Sequence, residues 1–305
     1  MKFSTRTLLA VAALASALHA QAPADGPLVL LVPVSARATA LGNASVRDDY
    51  SIFYNPARIA ATNGIGVALA RYGGNGTFGA LASGVNVGPL NWGWGVEVLQ
   101  FHARNSSAYP YAPAELVADG TRLAMSLAAV IGAEYTLKGF NIGVDAKFAE
   151  EHADAVQLPQ SALLGFSPIQ RNLLLADAGT THALLGGTAE FVVQNIGDRG
   201  SYPVPMTEKL GYTRSLNLKQ IDLAFAGEVL DRQGWIGGGG GAELGYGWIE
   251  GFSAVLRAGA RRPETAGQRP VAVGGTLNAD RLQLDYALEF FEGNRYAHHL
   301  TVRWR

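Results

Sequence analysis

From residue 64 to the end of the chain, apolar side chains recur at every second position. Phe140, Ile142, Val144, Ala146 and Phe148 share one face of an extended segment, and Asn141, Gly143, Asp145 and Lys147 share the other. Leu282, Leu284, Tyr286, Leu288 and Phe290 alternate in the same way with Arg281, Gln283, Asp285 and Glu289. Successive side chains of a strand point to opposite sides, so this alternation marks a sheet with one apolar and one polar face. Turn signals punctuate it at Gly73-Gly74-Asn75, Gly88-Pro89, Lys138-Gly139, Gln233-Gly234, Asn278-Ala279-Asp280 and Gly293-Asn294. The pattern predicts strands over 64–72, 76–88, 91–104, 122–136, 139–152, 182–197, 207–217, 220–231, 235–249, 252–262, 269–278, 280–290 and 295–305.

Most of these segments reach the roughly 9–11 residues that a tilted strand needs to cross a bilayer. No later stretch has the ~18 uninterrupted apolar residues of a helical span, which leaves a closed barrel as the membrane-compatible reading. Barrels of this kind have even strand numbers, with short turns on the periplasmic side. The list above is odd. Counting back from a periplasmic C-terminus puts the long gaps 105–121 and 153–181 on the wrong side. One further strand inside 153–181, best placed at Asn172 to Ala178, repairs both, giving about 14 strands and long outer loops at 105–121 and 153–169. The predicted fold is all-β: a transmembrane, antiparallel, up-and-down barrel. A soluble sandwich also alternates. Against it stand the strand lengths and the placement of Trp92, Trp94, Tyr135, Tyr246, Trp248, Tyr296 and Trp304 near strand ends, where interfacial girdles sit.

Composition sharpens this picture. The 305 residues include 38 Gly, where an average chain of this length holds about 21. Only 16% are charged, and 48% are hydrophobic, which excludes a disordered chain. There is no Cys, hence no disulfide scaffold, no thiolate metal site and no lipid anchor through a first mature cysteine. A net charge of -1 offers no electrostatic case for nucleic acid. The glycine run Gly237 to Gly241 lacks the strand-loop-helix setting and the Lys-Ser/Thr of a phosphate loop. It reads as a flexible or bulged piece of strand.

Two segments precede the alternation. Lys2 and Arg6, the apolar run Leu8 to Leu18 and small residues ending at Ala20 have the layout of a secretory signal peptide over 1–20. Residues 21–62 then form a separate, small-residue-rich unit before the barrel at 63–305, and their apolar character suits a plug folded into the lumen. Arg37-Ala38, Gly42, Asp48-Asp49 and Phe53-Tyr54-Asn55-Pro56-Ala57 resemble the N-terminal signature of the PorV/PorQ family, elements of which recur in the wider superfamily of FadL-type long-chain fatty acid transporters. Gln194-Asn195-Ile196-Gly197 resembles that family's strand ending, Pro203 to Tyr212 its next loop and strand, and Ala297 to Trp304 its closing strand. Ala40-Leu41-Gly42 stands where Gly-x-Gly is usual, and Arg58 where a Gly commonly follows the Asn-Pro-Ala. The resemblance implies an outer-membrane barrel of 14 strands, in the plane of the outer-membrane lipid, that binds secretion-machinery proteins or the C-terminal signal domains of exported cargo in type IX secretion or surface attachment. The FadL-type alternative is a channel for hydrophobic small molecules such as fatty acids.

Candidate chemistry is sparse. Of six His, His298 and His299 are neighbours on a strand and point to opposite faces, so they cannot share a metal. Ser253 with His298 is the hydrolase pair to consider, and nothing favours it. The reading is non-catalytic, with no cofactor and no metal. Asp48 and Asp49 suit a turn better than a cation site. The residues expected to matter are the plug motif Arg37, Gly42, Asp48, Asp49, Asn55, Pro56 and Ala57, and the lumen charges Glu97, Glu134, Asp145, Glu190, Asp222, Arg257, Arg281 and Asp285. Pairing of such charges with Arg37, Arg47 and Arg58 would seat the plug.

Overall fold

The computed structural model describes residues 27–44, 47–62, 64–72, 76–102, 123–153, 169–197, 204, 206–264 and 268–304. The predicted leader and nearly all of the predicted outer loops lie outside these residues. The strands are β1 (Gly64–Tyr72), β2 (Gly76–Val87), β3 (Leu90–His102), β4 (Leu123–Leu137), β5 (Phe140–Ala153), β6 (Ile169–Leu184), β7 (Gly187–Gly197), β8 (Thr207–Leu218), β9 (Ile221–Arg232), β10 (Trp235–Ile249), β11 (Phe252–Arg261), β12 (Gln268–Ala279), β13 (Leu282–Phe291) and β14 (Arg295–Trp304). Each pairs antiparallel with its neighbours in sequence. β14 returns to β1, with Ile65 opposite Trp304 and Tyr72 opposite Ala297. The ring is closed and leaves no unpaired edge, as a lipid environment demands.

The strand required by parity is β6, and it is longer than Asn172 to Ala178. It takes in His182 to Leu184, which the alternation had assigned to the following strand. What separates the two is a hairpin at Leu185-Gly186, with φ of 49° and 74°. Two successive left-handed residues make the turn whose twist matches the strands it joins. The same geometry at Lys138-Gly139 and Gln233-Gly234 is announced by its residue types, but a leucine announces no turn. The glycine run corrects a second expectation: Gly237 to Gly241 pairs without a register break against Leu230 to Ala226, so that it forms regular ladder and not a bulge.

All connections on one end of the barrel are two-residue turns, at 88–89, 138–139, 185–186, 219–220, 250–251 and 280–281. This turn end is the periplasmic one by the usual asymmetry. Trp92, Tyr135, Tyr246, Trp248 and Trp304 stand exposed at the strand ends beside it, forming a girdle. Between the ends the outer surface is a belt of exposed Val, Ile, Leu and Phe, including Val144, Phe225 and Leu256. So extensive an apolar surface is stable only against lipid.

The inner surface changes character along the axis. Toward the turn end it is polar and ionic, and toward the loop end the buried, inward-facing Tyr72, Phe78, Leu99, Leu173, Leu175 and Phe291 on one side stand across from ionic groups such as Arg232, Arg261 and Glu289. The described residues of the N-terminal segment, 27–44 and 47–62, lie within the ring. Helix α1 (Ala36–Ala40) packs on β11, β12, β13 and β14, whereas the 3-10 turn Pro56–Ala61 packs on β2 to β6, the opposite wall. Glycines mark the closest approaches. A Cβ on Gly143 would collide with the Pro56 carbonyl, one on Gly179 with the Asn55 side chain, one on Gly95 with the Phe53 ring, and one on Gly259 with the Leu41 backbone. Much of the glycine excess is therefore room made in the wall for this segment.

Candidate functional site

The N-terminal segment is shaped by short polar caps. Ser35 accepts a hydrogen bond from Ala38 N at 3.1 Å and so starts α1. Gly42, with φ of 66°, ends it against the Ala260 backbone, where no side chain fits. Asp48 accepts from Tyr50 N at 2.9 Å and from the Ser35 hydroxyl at 3.0 Å, closing an Asx turn. Asn55 accepts from Ala57 N at 2.9 Å and Pro56 opens the following 3-10 turn. Apolar groups fill the spaces between. Tyr50 and Ile52 are fully buried, and Val34 N donates to the Tyr54 hydroxyl at 2.7 Å. Burial, with Asp48 and Asp49 close by, pushes the Tyr50 phenol above its usual range. Tyr54 is pushed well above that range by burial as well.

Ion pairs link this segment to both walls. On one side they form an alternating chain. Arg37 Nη2 meets Glu243 Oε2 at 2.7 Å, Glu243 meets Arg257, Arg257 Nη1 meets Asp285 Oδ1 at 2.9 Å, Asp285 meets Arg303 Nη2 at 3.2 Å, and Arg303 Nε meets Asp49 Oδ2 at 3.5 Å. Both ends of the chain lie on the N-terminal segment. On the other wall Arg58 Nε meets Glu190 Oε2 at 2.6 Å, Asn55 Nδ2 donates to the same oxygen at 2.8 Å, and Ala60 N donates to Glu134. Gln194 Nε2 donates to the carbonyls of Phe53 and Tyr54, each at 3.1 Å. Arg47 is exposed, and its backbone oxygen accepts from Arg37.

The sequence-predicted residues divide. Glu97, Glu134, Asp145, Glu190, Arg257 and Asp285 are buried on the inner face. Asp222 is exposed at the start of β9, and Arg281 is exposed in the β12–β13 turn, so neither takes part in the interior network. Both sit where a strand has just left a turn, and alternation assigns a face there before the wall has begun. Ser253 and His298 are apart, on β11 and β14, which are not neighbours. His298 instead faces Tyr286 Oη at 2.7 Å on the outer surface. Asp177 and Arg303 escaped notice. Asp177 lies in the strand whose limits were obscure, and Arg303 continues the inward series His299, Thr301, Arg303, which period two alone identifies.

Toward the loop end lies a cavity of about 60 Å3, lined by Val29, Val32, Val34, Phe53 and Tyr54 of the N-terminal segment and by charged wall residues that include Glu97, Lys147, Arg232 and Arg261. The wall beside it is irregular. Gln194 and Asn195 together oppose Asp177 in a β-bulge, with Asn195 at φ of 60°. Asp177 Oδ1 accepts from Asn195 N at 2.8 Å, which holds the bulge. The β7–β8 ladder stops at Gln194 opposite Thr207, although β7 runs on to Gly197. In that gap a pocket of about 400 Å3 opens, lined by Ile196, Gly197, Val204, Met206 and others. Asn195 and Val204 line both spaces. An engineered cavity near 150 Å3 admits benzene, so the wall pocket has room for an aromatic ring, whereas the inner cavity in this state takes a few non-hydrogen atoms.

No family model and no curated protein matches the sequence. Solved barrels do resemble the structure. The toluene transporter TbuX of Ralstonia pickettii aligns over 90% of this chain and 98% of its own, with a TM-score of 0.57 and 12% identity. The toluene transporter TodX of Pseudomonas putida covers 88% and 96%, with 0.55 and 11%. A FadL homologue of Pseudomonas aeruginosa covers 90% and 98%, with 0.52 and 10%. At these identities the likeness is one of fold, and the fold is that of FadL-type outer-membrane barrels.

Proposed function

We propose that the protein is a non-catalytic outer-membrane channel for hydrophobic small molecules, which pass between the inner cavity and the lipid through the wall beside β7. The observation that carries this reading is the shared lining of Asn195 and Val204 between the inner cavity and the wall pocket. Val32, Val34 and Phe53 on the inner side and Ile196, Val204 and Met206 on the outer side offer apolar surface to a solute with little to gain from water. The toluene transporters that share the fold support the same solute class. The secretion reading draws on Asn55, Pro56 and Ala57, but these residues seat the N-terminal segment, a task common to either role, and so favour neither.

The test is uptake of a labelled monoaromatic hydrocarbon by intact cells whose own outer membrane lacks such a channel. Expression of the protein should speed uptake several-fold, and Met206→Trp, which fills the wall pocket, should abolish most of the gain. Equal uptake with and without the protein would remove the proposal. So would a Met206→Trp variant that folds and transports normally.

A further inference from the structure

Among the described ionic groups that line the inner cavity, one has no counter-charge in contact. Lys147 is taken by Asp177 at 2.7 Å, Arg232 by Glu264 at 2.9 Å, Arg261 by Glu289, and Lys209 lies 3.9 Å from Glu228. Glu97 has no such partner. The residue is 3% exposed, its Oε2 has no hydrogen-bond partner, and it lines the cavity. Its neighbours across the ladders are Ala80 and Ala128, which offer it nothing. Lys147 is a cation acting on it, but Asp177 and Asp145 act on that lysine too, and Asp145 Oδ2 also lacks a partner. Three carboxylates thus surround one ammonium. An interior that pairs its other cavity charges and leaves this one bare has a vacancy for a positive donor, because an isolated buried carboxylate is costly until something donates to it.

We propose that this vacancy is filled by the ligand: the channel selects a compact amphiphile with a protonated amine on an apolar body, and Glu97 receives the ammonium. The proposal rests on the channel reading and names the solute class. The inner cavity of about 60 Å3 accommodates an ammonium with a short methylene stem, and the wall pocket of about 400 Å3, reached past Asn195 and Val204, accommodates a ring. Val32, Val34 and Phe53 in the lining of the inner cavity suit the stem. A hydrocarbon would fit the apolar parts and leave Glu97 bare. A carboxylate would bring a third acid to a place that already holds Glu97 and Asp145, and no ammonium to either.

The experiment is titration calorimetry of the folded full chain in lipid nanodiscs, with empty nanodiscs as reference. Three probes share one ring size: phenethylamine, ethylbenzene and phenylacetate. The wild type should bind phenethylamine about tenfold or more tightly than ethylbenzene, the scale of a charge-assisted hydrogen bond, and phenylacetate weakest. Glu97→Gln keeps the shape and should bring phenethylamine down to the level of ethylbenzene while leaving ethylbenzene unchanged. The wild-type ranking needs no variant, so a misfolded Glu97→Gln would not shelter the idea. Phenethylamine no tighter than ethylbenzene overturns it, as does a preference that survives Glu97→Gln or tighter binding of phenylacetate. In those cases bound ethylbenzene still upholds the channel. Binding of the amine alone would keep the Glu97 site and remove the hydrocarbon channel, and binding of none would remove both.

Discussion

The pair Arg58–Glu190 offers the cleanest measurement of how firmly the N-terminal segment is held. Both side chains are almost wholly buried, at 5% and 3% exposure, with Nε and Oε2 2.6 Å apart. Arg58→Met keeps the length and removes the charge, leaving Glu190 in the interior with Asn55 Nδ2 as its remaining donor. Stripping one partner from a buried pair costs about 3–5 kcal/mol, because the survivor keeps its desolvation penalty. The Asn55 bond, worth about 1.5–3 kcal/mol to a charged group, stays in place and argues for the lower end. We expect a loss of about 3 kcal/mol. Glu190→Gln added to Arg58→Met removes the stranded charge and should restore stability to within about 1 kcal/mol of wild type, since a neutral pair of similar shape is often no worse than a buried ionic one. The coupling free energy is then about 2 kcal/mol or more. Urea unfolding of vesicle-reconstituted protein, followed by tryptophan fluorescence, gives all four corners of the cycle. A single variant within 1 kcal/mol of wild type, or a double variant no better than the single, would refute the view that a desolvated charge pair holds this wall.

Two further outcomes follow from packing and burial. Gly143→Leu should dislodge the Pro56–Ala61 turn, because even a Cβ there meets the Pro56 carbonyl. Overpacking of about 1–3 kcal/mol or more is expected, along with faster proteolysis within residues 27–62 while the heat-modifiable gel mobility of the barrel persists; unchanged proteolysis would contradict it. Tyr50 and Tyr54, both held above the usual 10.0 by burial, stay protonated in the folded state while the unfolded chain ionises from about pH 10. Stability from these groups is present below that pH and falls as pH rises above it. Tyr50→Phe with Tyr54→Phe should flatten the alkaline slope of the unfolding free energy, and an unaltered slope would count against the burial argument.

Period two made the wall legible, because a strand between lipid and a polar interior must alternate. It served β5 and β13 well, where each outward apolar residue opposes an inward polar one. It failed at Leu185, where a left-handed turn is built from a residue that gives no hint of it, and at Leu173 and Leu175, which are inward and apolar beside the outward Leu174. Once both faces are apolar, alternation carries no information, so the inward Leu173 and Leu175 have no signature that sets them apart from Leu174. The N-terminal motif residues were legible as a group. What Asn55 and Arg37 touch was not, since their partners Glu190 and Glu243 lie far away in the chain. Glu97 was legible as a lumen charge, but its isolation depends on which other charges pair, a property of the closed ring.

The seam between β1 and β14 also fixes an order of assembly. Ala36 N donates to the Thr301 hydroxyl at 3.0 Å, and Asp49 faces Arg303. Both wall groups belong to the last strand to leave the ribosome, and the residues they hold come before the first. Until β14 is in register with β1, the segment lacks its bonds to Thr301 and Arg303, and the ring around it is open. Clasp and lock are therefore completed in one step: the strand that closes the cylinder also supplies the groups that retain what it encloses. A lesion at Thr301 or Arg303 would register as a loose N-terminal segment as much as a weak seam.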